Sequence, residues 1–252
     1  MQHIVKIRYL KFVLFVFVFL PSALFSQKVN QSLLESIRKY EIDGNEKNLI
    51  AAYSQAINAE PTISSYYRGR SWLYFQLHQV EYPEKKYLEK AFEDINRAIQ
   101  LDPDSAYYYN EKGFYYEYGD YDYTSAIQTY TIGITKDSLC IKCFDNRAHC
   151  KDLLNDYRGA INDYSHLLNI YPKSYYLYER RASAYKQINQ LSKALSDLDK
   201  AIMLNPSDCN LFIRRGKLKI LMGDKNSACI DYSKAGELGC QVAYQIIKNE
   251  CN

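Results

Sequence analysis

The residues best suited to chemistry are seven cysteines: Cys140, Cys143, Cys150, Cys209, Cys229, Cys240 and Cys251, all in the C-terminal half of a 252-residue chain. The run CIKC (Cys140–Cys143), with His149 and Cys150 after it, offers the ligand types of a zinc site and the CxxC spacing of a thiol–disulfide centre. Reach argues against zinc. On one helix, Cys143 and Cys150 stand about 10.5 Å apart in rise, while tetrahedral ligands lie ~2.0–2.3 Å from a single ion. Dithiol exchange lacks the βαβ setting in which a CxxC is read as redox-active, so a structural pair is the expectation. Cys150 is expected to be a buried free thiol.

Other catalytic signatures are missing. The chain has no GxSxG, HExxH, GxxxxGK or GxGxxG. His78 sits at an insertion, and His149 and His166 sit in ordinary helical sequence. Asp102/Asp104 and Asp120/Asp122 fall in turns, where aspartate caps backbone groups. The expectation is a protein that is not an enzyme and that carries neither cofactor nor metal.

A charged series recurs along the chain. Lys112, Arg147, Arg181 and Arg215 each precede a Gly or Ala, while Asp94, Asp163, Asp197 and Asp231 recur at matching offsets. Asp94–Lys112, Asp163–Arg181 and Asp197–Arg215 are each 18 residues apart, which reads as a structural ladder of forks between neighbouring helices. Thr129 fills the slot that would pair with Arg147, leaving Asp163 as its alternative.

The elements that position these charges follow from a period. Ala126, Ala160, Ala194 and Ala228 are spaced by 34 residues, each followed four positions later by a large side chain: Tyr130, Tyr164, Leu198 and Tyr232. Gly113, Ala148, Ala182 and Gly216 form a second series, spaced by 35, 34 and 34, each preceded four positions earlier by an aromatic. Residues three or four apart share a helix face, and a small residue lets two helices approach closely. Pro61, Pro103, Pro172 and Pro206 close several units. Each unit is thus a pair of antiparallel helices that must stack on the next to bury its apolar face.

This pattern resembles the tetratricopeptide repeat, most clearly over Ser174–Pro206. The resemblance implies an all-α, right-handed solenoid without β-sheet, and units at about 30–61, 62–105, 106–140, 141–174, 175–208 and 209–239, with a capping helix at 241–249. In the second unit Gly69 takes the small slot, and extra residues near 78–87 are inserted between its helices. The segment YYYNEKGFYYEYGDYDY (Tyr107–Tyr123), eight of whose seventeen residues are tyrosine, is the first helix and turn of the third unit and not low-complexity sequence. In antiparallel pairs the start of one helix lies beside the end of the next, which suggests disulfides Cys209–Cys240 and Cys229–Cys251.

The N-terminus is a separate object. Lys6, Arg8 and Lys11 precede an apolar run, Phe12–Leu20, and small residues follow, as in a secretory signal peptide ending near Ser26. Residues 27–252 would then form the solenoid. The formal charge of +3 belongs to the leader, so the mature chain is neutral and has no electrostatic footprint for nucleic acid. Richness in Tyr, Ile, Asn and Lys fits an AT-rich bacterial genome, and hence a periplasmic or secreted protein.

The family resemblance implies a groove lined by the first helices. By register its residues are Tyr66, Arg70 and Tyr74; Tyr107, Asn110 and Phe114; Lys142, Asp145 and His149; and Tyr176, Glu179 and Ser183. These tyrosines either contact a partner or pack between helices. Lys142, Asn146 and Arg180 come nearest to the family's carboxylate clamp for peptide C-termini, from which Asp145 and Glu179 depart. The function expected is a scaffold for a protein or peptide. The alternative is an envelope assembly or trafficking factor in a membrane-associated complex.

Overall fold

The computed structural model describes residues 37, 39, 46–80 and 85–251. The expected leader lies outside them, as does most of the first helix of the expected unit at 30–61. Among the described residues there are helices and no strands. The chain divides into two bodies, residues up to 59 and residues from 60 onward. In the first, α1 (Glu46–Ala59) buries Leu49, Ala52, Tyr53, Ala56 and Ile57, the one-sided pattern of an amphipathic helix.

The second body is an α-solenoid of antiparallel pairs: α2 (Ser64–Val80) with α3 (Lys85–Leu101), α4 (Ala106–Tyr115) with α5 (Tyr123–Lys136), α6 (Ile141–Leu153) with α7 (Tyr157–Ile170), α8 (Tyr175–Gln187) with α9 (Leu191–Leu204), and α10 (Cys209–Leu221) with α11 (Lys225–Glu237). A last helix, α12 (Gln241–Glu250), packs on α11. Aspartates cap the second helices: Asp122, Asp156 and Asp224 accept from Ser125, Gly159 and Ser227 backbone N–H groups at 3.0, 3.0 and 3.1 Å.

The periodic slots explain the core. Ala126, Ala160, Ala194 and Ala228 are fully buried, as are Tyr130, Tyr164 and Tyr232 beside them. A Cβ on Gly113 or Gly216 would lie 2.5 Å from the ring of Tyr130 or Tyr232, so the small slot makes room for these rings. Burying each ring is worth roughly 1.5–3 kcal/mol, provided its hydroxyl finds a partner. The hydroxyls of Tyr130, Tyr164 and Tyr232 donate to Glu117, Asp152 and Glu250 at 2.7, 3.0 and 3.1 Å.

The charged series forms rungs, but in a different register from the 18-residue offset. Arg147, Arg181 and Arg215 each grip, with two nitrogens, the aspartate 16 residues ahead in their own unit: Asp163 (3.0 and 2.7 Å), Asp197 (2.8 and 2.8 Å) and Asp231 (3.0 and 2.6 Å). The remaining guanidinium nitrogen reaches 16 residues back, to Thr131, Ser165 and Asp199, on the second helix of the preceding unit. Two residues along a helix turn the side chain by about 200°, so Asp163 and Asp197 face their own unit while Ser165 and Asp199 face the next. Asp94 accordingly pairs with Arg70 (2.7 and 2.8 Å) rather than Lys112, whose Nζ sits 6.0 Å from the centre of the Tyr116 ring.

The Arg70–Asp94 rung resets the second unit. Its small slot is Ser71, not Gly69: Ser71 is fully buried and its hydroxyl donates to Ala91 O at 2.7 Å. The described part of the insertion near 78–87 continues the flanking helices. α2 and α3 are 17 residues each, against 13 and 14 for α8 and α9, so the insertion mostly lengthens both helices.

Cys209–Cys240 and Cys229–Cys251 are joined, with Cα separations of 5.9 and 5.8 Å, and tie the last pair to α12. Cys140–Cys143 is joined as well, at 5.3 Å, and Cys150 is free and buried.

The tight loops carry a left-handed residue: Asn155 (φ 61°), Asn189 (φ 58°) and Gly223 (φ 85°), but Tyr121 (φ 56°) in the third unit. Asn and Gly tolerate this region, whereas a bulky residue there costs about 1–2 kcal/mol. Tyr121 is 59% exposed, so it has little packing to lose. Tyr121→Asn is expected to stabilise the chain by about 0.5–1 kcal/mol, seen as a higher urea midpoint with an unchanged slope.

Candidate functional site

Side-chain links show the first helices of the second body lying side by side. Arg68 of α2 grips Glu111 of α4 at 2.8 and 3.1 Å; Asn146 of α6 donates to Asn110 of α4 at 3.0 Å; Arg214 of α10 pairs with Glu179 of α8 at 2.6 Å. Their shared face is the candidate site.

Its N-terminal end is aromatic. Phe114 packs against Trp72, Phe75 and Tyr118, with ring centres 6.1, 5.6 and 4.4 Å away. Arg68 lies over Tyr107, 4.9 Å from the ring centre, and also hydrogen-bonds the Tyr107 hydroxyl. Tyr107 remains 40% exposed, and burial with nearby Glu111 pushes its hydroxyl up to about 12, so it stays a neutral donor.

Three of the expected groove residues are elsewhere. Tyr66 is buried, Arg70 is committed to the Asp94 rung, and Tyr74 packs on Tyr87 within its own unit. The two-residue shift that placed Gly69 in the Ser71 slot moved all three; corrected by two, they become Arg68, Trp72 and Gln76. Tyr107, Asn110 and Phe114 lie on the shared face. So do Lys142, which is exposed, His149 and Tyr176.

The middle of the face is polar and rich in carboxylates. It is built by an irregularity in α4. Gly113 and Ala126 are 13 residues apart, against 12 in the next three units, and the extra residue is taken up as a single π-helical turn, Tyr116–Asp120. That turn directs Glu117 inward. Only 1% exposed, Glu117 accepts from Tyr130 at 2.7 Å and from His149 Nδ1 at 2.8 Å. The 35-residue step from Gly113 to Ala148 was the one sequence signal of this turn, and Glu117 itself was missed.

Asp145 and Asp152 stand about one and three turns along α6 from Lys142, on the same stripe as His149. Burial pushes the Asp145 carboxyl above the ordinary carboxylate range, against the pull of Arg180 and His149. Asp152 is raised by burial too, opposed by its hydrogen bond from Tyr164. Its second oxygen is enclosed and accepts no hydrogen bond. Arg180 lies over the Tyr176 ring, 5.1 Å from its centre, and supplies the facing positive charge. With Asn146 bonded to Asn110 and Arg180 stacked on Tyr176, the Lys142–Asn146–Arg180 set is not arranged around a free carboxylate site.

A raised folded-state value means that Asp145 ionises at a cost to the fold, so its stability contribution is lost as pH rises through that value. Asp145→Asn should therefore stabilise at neutral pH, by an amount on the order of 0.5 kcal/mol given partial solvent screening. The gain should vanish below the carboxylate range, where both side chains are neutral. Thermal melts at pH 7 and pH 3 check both halves.

A tetratricopeptide repeat family model matches residues 175–208. That segment carries a tetratricopeptide repeat (TPR), and the described chain has the fold of such repeats. The helix pairs, the small–large slots and the proline closures are those of that repeat. Solved structures with a similar fold include a tetratricopeptide repeat protein from Parabacteroides merdae, 21% identical over 90% of this chain and 86% of that one, with a TM-score of 0.55. YrrB, described as a TPR protein with an unusual peptide-binding site, is 16% identical over 79% and 98% (TM-score 0.64). PilW, a widely conserved type IV pilus biogenesis factor, is 15% identical over 88% and 100% (TM-score 0.65). No curated protein matches the chain. At these identities the likeness is one of fold.

Proposed function

We propose that this TPR protein is an exported, non-catalytic scaffold that holds a protein or peptide along the face shared by its first helices. The observation that carries the reading is the composition of that face: an aromatic end (Trp72, Phe114, Tyr118) continuous with a polar middle that carries Asp145 and Asp152. Such a face suits a polypeptide with an apolar or aromatic side chain followed by a basic one. The aromatic rings supply contact area at little rotamer cost, and the carboxylates favour a positive side chain beside them.

Export is supported by the basic–apolar leader and by the three disulfides, which persist in oxidising compartments. No described helix is long and apolar enough to cross a membrane. The test is an affinity capture of the mature chain from the exported fraction, with identification of the polypeptides retained. Retention of the chain in an envelope complex after its leader is removed would favour the assembly-factor reading. Capture of no polypeptide at all would overturn the scaffold reading.

A further inference from the structure

The three disulfides are not alike. Cys209–Cys240 and Cys229–Cys251 span 31 and 22 residues and staple the end of the solenoid. Cys140–Cys143 spans three residues within one helical turn. A loop that short removes roughly half as much unfolded-chain entropy as the longer ones, so stability alone gives little reason for it.

Its setting suits chemistry instead. Cys140 is the N-cap of α6 and Cys143 lies in the first turn. In the next two units the same slot holds Ser174 and Asp208, whose side chains accept backbone N–H groups of α8 and α10 at 3.4 and 2.9 Å. Cys140, held in the disulfide, makes no such cap. Once the bond opens, its sulfur occupies the cap position as a thiolate, stabilised by the free N–H groups and dipole of a 13-residue helix. The helix terminus thereby supplies what the missing βαβ context would have supplied.

The two sulfurs also differ in access. Cys143 is fully buried, so close to α5 that a Cβ on Gly133 would lie 2.8 Å from its sulfur. Cys140 is only partly buried. Beside it stand two exposed apolar side chains, Leu139 (67%) and Ile141 (39%). With Cys143 fully enclosed, attack on the bond must come at the partly buried Cys140, and the apolar rim beside it fits a polypeptide substrate. The remaining thiol, Cys150, is buried and pushed well above the ordinary thiol range by that burial, which leaves it inert.

We propose that Cys140–Cys143 is an exchange-active disulfide that oxidises a dithiol-bearing polypeptide docked on Leu139 and Ile141. A substrate thiolate attacks the Cys140 sulfur. A new S–S bond forms to Cys140, the Cys140–Cys143 bond breaks, and Cys143 leaves with the electron pair. Cys143 takes up a proton and faces Ala106 O, 3.9 Å away, as an acceptor. The second substrate thiolate then attacks its own sulfur in the mixed disulfide and releases Cys140 as the capping thiolate. Two electrons pass from substrate to protein, and the substrate dithiol becomes a disulfide. The site is separate from the groove and does not depend on the scaffold reading.

The test titrates the oxidised mature chain with reduced glutathione, alkylates the freed thiols and assigns them by mass spectrometry. Cys140 and Cys143 should open at a glutathione concentration at least about tenfold below that needed for the other two pairs. Cys143→Ser should accumulate glutathione on Cys140, whereas Cys140→Ser should leave Cys143 unmodified in the native chain. Leu139→Asn with Ile141→Gln should slow oxidation of a reduced dithiol peptide with leucine flanks about tenfold, while leaving the reaction with glutathione unchanged. The wild-type titration needs no variant to fold. The proposal is overturned if Cys140–Cys143 opens together with or after the other pairs, if Cys140 stays unmodified in Cys143→Ser, or if the rim variant slows both reactions equally.

Discussion

Arg181→Ala is expected to destabilise the solenoid by about 3–5 kcal/mol, the cost of leaving a buried charge without its partner. Asp197 is 6% exposed, and Arg181 is its one cationic partner among the described residues, through a two-pronged grip at 2.8 and 2.8 Å. The same guanidinium also bonds Ser165 at 2.9 Å, so its loss loosens one helix pair and the joint to the preceding pair together. Arg147→Ala is the built-in comparison. Asp163 keeps Lys151 at 2.8 Å, so the cost there should be smaller by at least about 1 kcal/mol. Urea unfolding of both variants measures the difference, with Asp197→Asn combined with Arg181→Met as a check that the penalty belongs to the stranded carboxylate. Equal losses for Arg181→Ala and Arg147→Ala would show that the rungs do not act as isolated pairs.

The second large effect concerns binding. Trp72→Ala combined with Phe114→Ala is expected to weaken capture of the partner about a hundredfold, the scale of losing two central aromatic anchors. Both rings are half-buried and packed on each other, with centres 6.1 Å apart, so some stability will be lost as well. Tyr244→Ala removes a ring that is 60% exposed on α12 and should leave capture unchanged. Circular dichroism on each variant separates loss of binding from loss of fold.

Much of the architecture was legible because the repeat writes the same physics several times. The alanine and small-residue series, the large neighbours and the closing prolines identify helix pairs without any knowledge of the partner. The tyrosine run at 107–123 was readable as helix for the same reason, since its rings keep register with units on both sides. What the sequence hid lies where a unit departs from the average. In the second unit two small residues, Gly69 and Ser71, compete for one slot, and the choice turns on whether Arg70 reaches Asp94, a contact that spacing alone does not display once the helices are lengthened. The ladder offset was misjudged because 16 and 18 both look periodic, while only one aims the carboxylate at its own unit. Glu117 was hidden because a π turn rotates the residues after Tyr115 by an amount that no fixed period contains.

The groove shows the same divide. Tyr107, Asn110 and Phe114 could be placed because the third unit begins in regular register. Tyr66, Arg70 and Tyr74 could not, because one wrong small slot carries every position of that helix to another face. The carboxylate-rich middle was visible only as residues that depart from a clamp. Its character comes from burial, which raises Asp145 and Asp152, and burial is a property of the packed units and not of any one of them.

The central claim is that the face shared by the first helices holds a polypeptide. Site-specific photo-crosslinking in the exported mature chain tests it most directly, with a benzophenone side chain placed at Asn110 or Ser183 on that face, or at Met203 or Ile230, which are 63% and 70% exposed on second helices. The account predicts adducts to a discrete polypeptide from Asn110 and Ser183, abolished by Trp72→Ala with Phe114→Ala, and none from Met203 or Ile230. Adducts from Met203 and Ile230 with none from Asn110 and Ser183 would contradict it.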